Sequence, residues 1–259
     1  MPAQNISEVV LQMDEIMAEG SRQGNAMGYF AGMYRLVTLT VKEAAEARKF
    51  EDNERMQALV VDFANRYLAA YHAYQAGEPL SRCWEEAFVL AASPNALILQ
   101  HLFLGMNAHI HLDLGFSAAK ICPGERIEEL KHDFLTINIT LANLINEVQN
   151  RLEAVSPLMK WADRLGGKWD EKLAGFSLVK ARDKAWDVAV KAASLEGSER
   201  DAFEIITDKR AARIARLISV PGGMRLNLWL QLMRLFESQD CAKVTAALWQ
   251  QGWQKIGNL

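Results

Sequence analysis

The chain has 259 residues, half of them hydrophobic and 24% charged, with a net charge of -3. That length can bury a full core in one domain, and that balance excludes a disordered chain and any strong field toward nucleic acid or an anionic membrane. Three widely spaced cysteines, Cys83, Cys122 and Cys241, form no ligand clamp or redox pair and read as reduced core thiols.

The opening stretch, MPAQNISEVVLQMDEIMAEG, carries acids and lacks the basic-then-apolar order of a signal peptide. No run of about 18 apolar residues is free of charge, so a cytoplasmic protein without a membrane span is expected. Six prolines and sixteen glycines punctuate long stretches of Ala, Leu, Met, Glu, Lys and Arg, with apolar residues three and four apart, the mark of helix. The pattern predicts helices over about Ser7–Glu19, Met27–Lys49, Asp52–Ala76 and Leu80–Ala92, with a stop at Gly77-Glu78-Pro79. Ser93-Pro94 pairs an N-cap residue with a proline at the first helical position and predicts a helix reaching about Lys120. Cys122-Pro123-Gly124 ends it, and the next helix runs over about Glu125–Ala154, so the two form an antiparallel hairpin. A short segment from Pro157 to Arg164 and a break at Gly166-Gly167 follow. Further helices are predicted over about Leu178–Ser194, Ser198–Ser219, Met224–Glu237 and Asp240–Lys255, with Pro221-Gly222-Gly223 as a stop. No strand alternation and no internal repeat is visible. The expected architecture is all-α, an irregular single-domain bundle over residues 1–259 around a buried central antiparallel hairpin.

The segment from Gln100 to Gly115 is the most informative. Its apolar side chains surround the whole helix circumference, so its polar groups sit in a buried environment that must satisfy or use them. His109 and Asp113 are four apart and share a face; Asn107 and His111 form a second pair on nearly the opposite side. His101 lies about 12 Å before His109 along the axis, too far to share a metal ion with it. A turn at Pro123 sets Asp113 opposite Asp133 and His109 opposite Ile137 or Asn138. One imidazole, two carboxylates and an amide would then converge, a donor set that suits zinc, iron or manganese. Without a metal, two facing carboxylates split their pKa values as an acid/base pair requires. The competing reading is a hydrogen-bonded structural cluster. His72, His111 and His132 read as solvent-facing or core histidines. Further on, Arg182 and Trp186 are four apart and can stack, though a solvated helix face with a buried Trp is the favoured reading; a buried Arg182 would instead hold a carboxylate or phosphate. Phosphate loops, Gly-x-Ser-x-Gly elbows and Cys-x-x-Cys sites are absent from the sequence, which argues against the common nucleotide-dependent enzymes, α/β serine hydrolases and zinc fingers.

Leu99-Gln100-His101, then Gly105-Met106-Asn107-Ala108-His109-Ile110 and Asp113-Leu114, resemble the signature Gly-x-Asn-Ala-His-Ile-Asn-x-Asp-Leu of a bacterial family of unknown function. Other pieces match in order: Phe30, Tyr34 and Val37-Thr38; the run from Val61 to Tyr67; Trp84; Asp133 with Ile137-Asn138; and Ala181-Arg182-Asp183 with Ala185-Trp186. His111 stands where the signature has Asn. The resemblance covers most of the chain and implies the helical fold and the mid-chain site, but no reaction.

Two functions follow. In the first, the protein is a hydrolase or lyase acting on a small molecule in a pocket between the hairpin and the second, third and 178–194 helices. There His109, Asp113 and Asp133 bind a divalent metal or exchange protons and Asn138 assists them, while Asn107, His101 and Arg182 meet the substrate. In the second, the protein is a non-enzymatic helical binding or interaction module, and the cluster is an internal hydrogen-bond network. A sealed core around His109 favours the module, a solvent-connected pocket the enzyme. An exposed face carrying Trp249 and Trp253 would make a homodimer.

Overall fold

The computed structural model describes residues 1–93, 96–137, 148, 151–152, 155–156, 178–220 and 224–250. Among them there is no strand, and the chain is all-α. The helices are α1 (Ile6–Gln23), α2 (Met27–Glu46), α3 (Asn53–Ala76), α4 (Arg82–Ala91), α5 (Ile98–Ala108), α6 (Leu114–Ile121), α7 (Leu178–Ala193), α8 (Gly197–Ser219), α9 (Met224–Phe236) and α10 (Cys241–Thr245). A π-helical turn, His109–Asp113, joins α5 to α6. A second, Ala246–Gln250, follows α10.

Local chemistry sets the ends of the early helices. The Asn5 side chain accepts from the Glu8 N–H at 3.0 Å to start α1, and Asp52 accepts from Arg55 N–H at 2.9 Å to start α3. Gly77 ends α3 at φ 67°, a left-handed conformation that costs glycine no Cβ clash.

Three other helix starts or approaches draw their caps from far along the chain. Asp133 accepts from the N–H groups of Glu51 and Asp52, at 2.7 and 3.0 Å, just before α3. Asp208 on α8 accepts from Arg82 and Cys83, both at 3.0 Å, at the start of α4. Glu237, after α9, accepts from Ile98 at 3.0 Å at the start of α5, and from the Ser156 hydroxyl at 2.6 Å. Each buried carboxylate thus meets amides that helix geometry leaves unpaired, at the positive end of the helix dipole.

The central helix, α5 through α6, packs against α2, α3, α4, α7 and α8, and its buried side chains join one continuous core. Backbones approach closely where glycine permits. A Cβ on Gly20 of α1 would lie 2.8 Å from the Gly28 nitrogen of α2, and one on Gly105 would lie 2.3 Å from the Phe30 ring.

The boundaries depart from the sequence reading around this helix. α5 begins at Ile98, after the expected Ser93-Pro94 start, because its first amide is capped by Glu237 and not by Ser93. Pro94 lies outside the described residues. Past Cys122-Pro123 the chain enters a 3-10 helix, Gly124–Leu130, where an α-helix was expected, and α-helix resumes over 131–137. Most of the expected second limb beyond Ile137, the 157–164 segment, Gly166-Gly167 and Trp253 lie outside the described residues. Trp249 is buried, its ring filling the space that a Cβ on Gly32 would need.

Candidate functional site

The π-helical turn carries the site. Leu114 N–H bonds to the His109 carbonyl, five residues back, and the wider turn brings side chains four apart close to alignment along the axis. His109 Nδ1 lies 3.3 Å from Asp113 Oδ2. That same oxygen accepts from the Trp84 indole Nε1 of α4 at 2.9 Å, while Oδ1 accepts from Arg66 Nε of α3 at 3.1 Å. Arg66 passes the link on to Glu204 of α8 through its Nη2. Asp113 therefore gathers donors from α3, α4 and its own turn, and Arg66 ties that cluster to α8.

Aromatic rings enclose the imidazole. Phe63 stacks on it with centroids 3.4 Å apart, Tyr34 meets it edge-on at 4.2 Å, and Phe30, Trp84 and Tyr67 stand within 6.4 Å. His109 is 3% exposed and Asp113 2%. Burial lowers the His109 pKa, Asp113 opposes that shift, and the positive Arg66 adds to it, so the ring is neutral at pH 7. Burial also raises the Tyr34 hydroxyl, reinforced by the Asp113 charge. The Thr38 side chain, one turn on, opposes that shift by hydrogen bonding, while His109 Nε2 is buried with no hydrogen-bond partner among the described residues.

The structure does not bring Asp133 to this pair. Both carboxylates are anchored along α3, Asp133 at Asp52 and Asp113 at Arg66, and those anchors are about 20 Å apart at 1.5 Å per residue. Between them Lys120 of α6 pairs with Asp62 of α3, so the chain is still travelling toward the start of α3 when it reaches Asp133. The expected register assumed two regular helices reversing at Pro123; the 3-10 segment moves the reversal later. Asp133 serves as a cap, with Arg55 at 3.7 Å. The expected convergence of His109, Asp113 and Asp133 on one metal is not formed, and no other group of three or more His, Cys, Asp or Glu placed to hold a metal occurs among the described residues.

The other expected site residues are dispersed. Asn107 is fully buried and donates to the Ala211 carbonyl of α8 at 2.9 Å. His101 stands edge-on to Tyr29, its pKa lowered to about 3 by burial with help from the Arg234 charge. Arg182 is buried, donates to the Phe134 carbonyl at 2.6 Å and lies over the Phe134 ring, which also packs against Trp186 with centroids 5.1 Å apart. Its pKa is lowered to about 10 by burial. Asn138 lies outside the described residues. Sequence reasoning missed Arg66 and Trp84 as partners of Asp113. They stand 47 and 29 positions away, and no spacing rule links them; both do lie in segments that carry the family resemblance.

A surface cleft of about 450 Å³ lies on the other flank of α3, lined by Gln4, Asn5, Gln57, Asp62 and Asn65 over Ile6 and Ile121. None of the residues that touch His109 lines it. No helix among the described residues is long and apolar enough to cross a membrane. No curated protein and no solved structure matches the chain. The model of a family of unknown function (DUF5995) does match, over residues 6–221, a span from α1 through α8 that includes the whole His109 cluster, and the chain belongs to that family.

Proposed function

We propose that this protein is a non-enzymatic helical binding module in which the His109/Asp113 cluster is an internal network that fixes the buried central helix. One observation carries the reading: Asp113, 2% exposed, takes Arg66 Nε, Trp84 Nε1 and His109 Nδ1 together. Three donors occupy most of what a carboxylate can accept. A general base must also come within hydrogen-bond reach of its substrate, and here Phe63 covers a face of the imidazole while Tyr34 closes on its side.

Replacing Asp113 by Ala leaves Arg66 and Trp84 facing a buried gap and lowers stability by about 3–5 kcal/mol. Urea unfolding of the purified variant measures it. Elemental mass spectrometry of the wild type beside an Asp113→Ala, Asp133→Ala double variant supplies the counter-test. Near-stoichiometric zinc, iron or manganese that disappears in the variant would replace this reading with a metal-dependent one.

A second reading, a small-molecule hydrolase or lyase in the cytoplasm, draws on one feature. His109 is neutral, its Nδ1 faces Asp113 and its Nε2 has no partner among the described residues, the arrangement a general base uses.

A further inference from the structure

We propose that the outer face of α8 is a docking surface for an anionic lipid bilayer, on which the protein lies peripherally. This face stands apart from the His109 cluster, so its occupation does not depend on how that cluster is read.

Between Ile205 and Val220 the exposed positions of α8 are of two kinds. Ile205, Ile206, Leu217 and Val220 are aliphatic and 46–69% exposed. Lys209, Arg210, Arg213 and Arg216 are cationic and exposed. At about 100° per residue all of them fall within an arc of about 140°, and they run about 22 Å along the axis. No acid shares the arc. Asp208 is buried and caps α4, and Glu204 lies outside the arc, bound to Arg66. Arg216 is paired with Glu86 of α4, while Lys209, Arg210 and Arg213 have no ion pair among the described residues. The net charge of -3 on the whole chain averages this local excess away.

The order of the groups identifies the occupant. Protein partners meet on an apolar centre, rich in aromatic side chains, with a polar rim. Here the cations hold the middle of the face, the aliphatic side chains stand at its two ends, and no aromatic ring, amide or hydroxyl is among them. A bilayer with anionic headgroups matches that order. Branched aliphatic side chains enter the boundary between headgroups and acyl chains, while the long stems of Lys and Arg let their charges stay at the phosphates.

Co-sedimentation of the full-length protein tests the surface, with vesicles of phosphatidylcholine alone and of phosphatidylcholine mixed with phosphatidylglycerol. The protein should pellet with the mixed vesicles, stay in solution beside the neutral ones, and leave the mixed vesicles as salt is raised. Lys209→Gln with Arg213→Gln should weaken binding to the mixed vesicles about 25-fold, since each cation near an anionic surface contributes about fivefold. Leu217→Ser with Val220→Ser should weaken it about tenfold through lost insertion. All four positions are exposed, so both double variants should keep the wild-type melting temperature, which separates lost docking from a lost fold. No binding to the mixed vesicles, equal binding to the neutral ones, or unchanged affinity in either variant would overturn the bilayer as occupant. Retention on polyglutamate without binding to vesicles would overturn it too, and would give the face to an acidic protein.

Discussion

The indole of Trp84 and the imidazole of His109 both face Oδ2 of Asp113, at 2.9 and 3.3 Å. Trp84→Phe keeps a ring in contact with Phe88 and removes the indole donor. A lost hydrogen bond to a buried charge costs about 2 kcal/mol, read as a lower urea midpoint. A variant as stable as wild type would mean that the indole bond does not hold Asp113.

Asp133→Ala strips two amides, those of Glu51 and Asp52, of their common acceptor. The expected loss is about 2 kcal/mol, with faster hydrogen exchange confined to the approach and first turn of α3. The His109 ring nitrogens, observed by NMR, should keep their chemical shifts. If they moved, Asp133 and His109 would be coupled after all.

Gly105→Ala drives a methyl group into Cγ and Cβ of Phe30, atoms too close to the backbone to swing aside. Overpacking of this kind costs about 1–3 kcal/mol. Thermal melting beside urea unfolding measures the loss, and a variant as stable as wild type would mean that α5 and α2 can move apart at this point.

Acid should destabilise the protein through its buried histidines. His101 titrates at about 3 when folded against 6.5 ordinarily, and the His109 pKa is lowered in the same direction. Between those values the unfolded chain binds more protons, so stability is full above pH 6.5 and falls as the pH drops toward 3. The slope approaches about 1.4 kcal/mol per pH unit for each such histidine. His101→Phe should flatten the dependence of the urea midpoint between pH 7 and 4.5; an unchanged slope would assign it to other groups.

Helical periodicity made most elements legible: Met27, Ala76 and Ser219 are helix ends in both the reading and the structure. So did the crowding of apolar residues around His109, which marks a helix buried on all sides. The pairing of His109 with Asp113 follows from four-residue spacing alone. Its other partners do not, because Arg66 and Trp84 reach Asp113 only through tertiary packing of α3 and α4. Asp133 misled for a related reason. A register drawn from a turn signal holds only while both limbs are regular, and the 3-10 turns after Pro123 carry no distinctive sequence mark. The remote caps Asp208 and Glu237 were equally invisible, since each lies more than a hundred positions from the helix whose start it completes.

A π-turn holds one residue more than the α-turn it replaces. On either side of His109–Asp113 the helix seats a glycine against a neighbour, Gly105 on Phe30 and Gly115 on Val188. A surplus residue absorbed within five positions leaves both seats undisturbed. Deleting Ile110 would then restore a regular α-helix across the turn, with both glycine seats kept and His109 and Asp113 left three positions apart, still neighbours on one face. The extra residue of the turn is thus a length correction between two glycine contacts, made where the cluster sits.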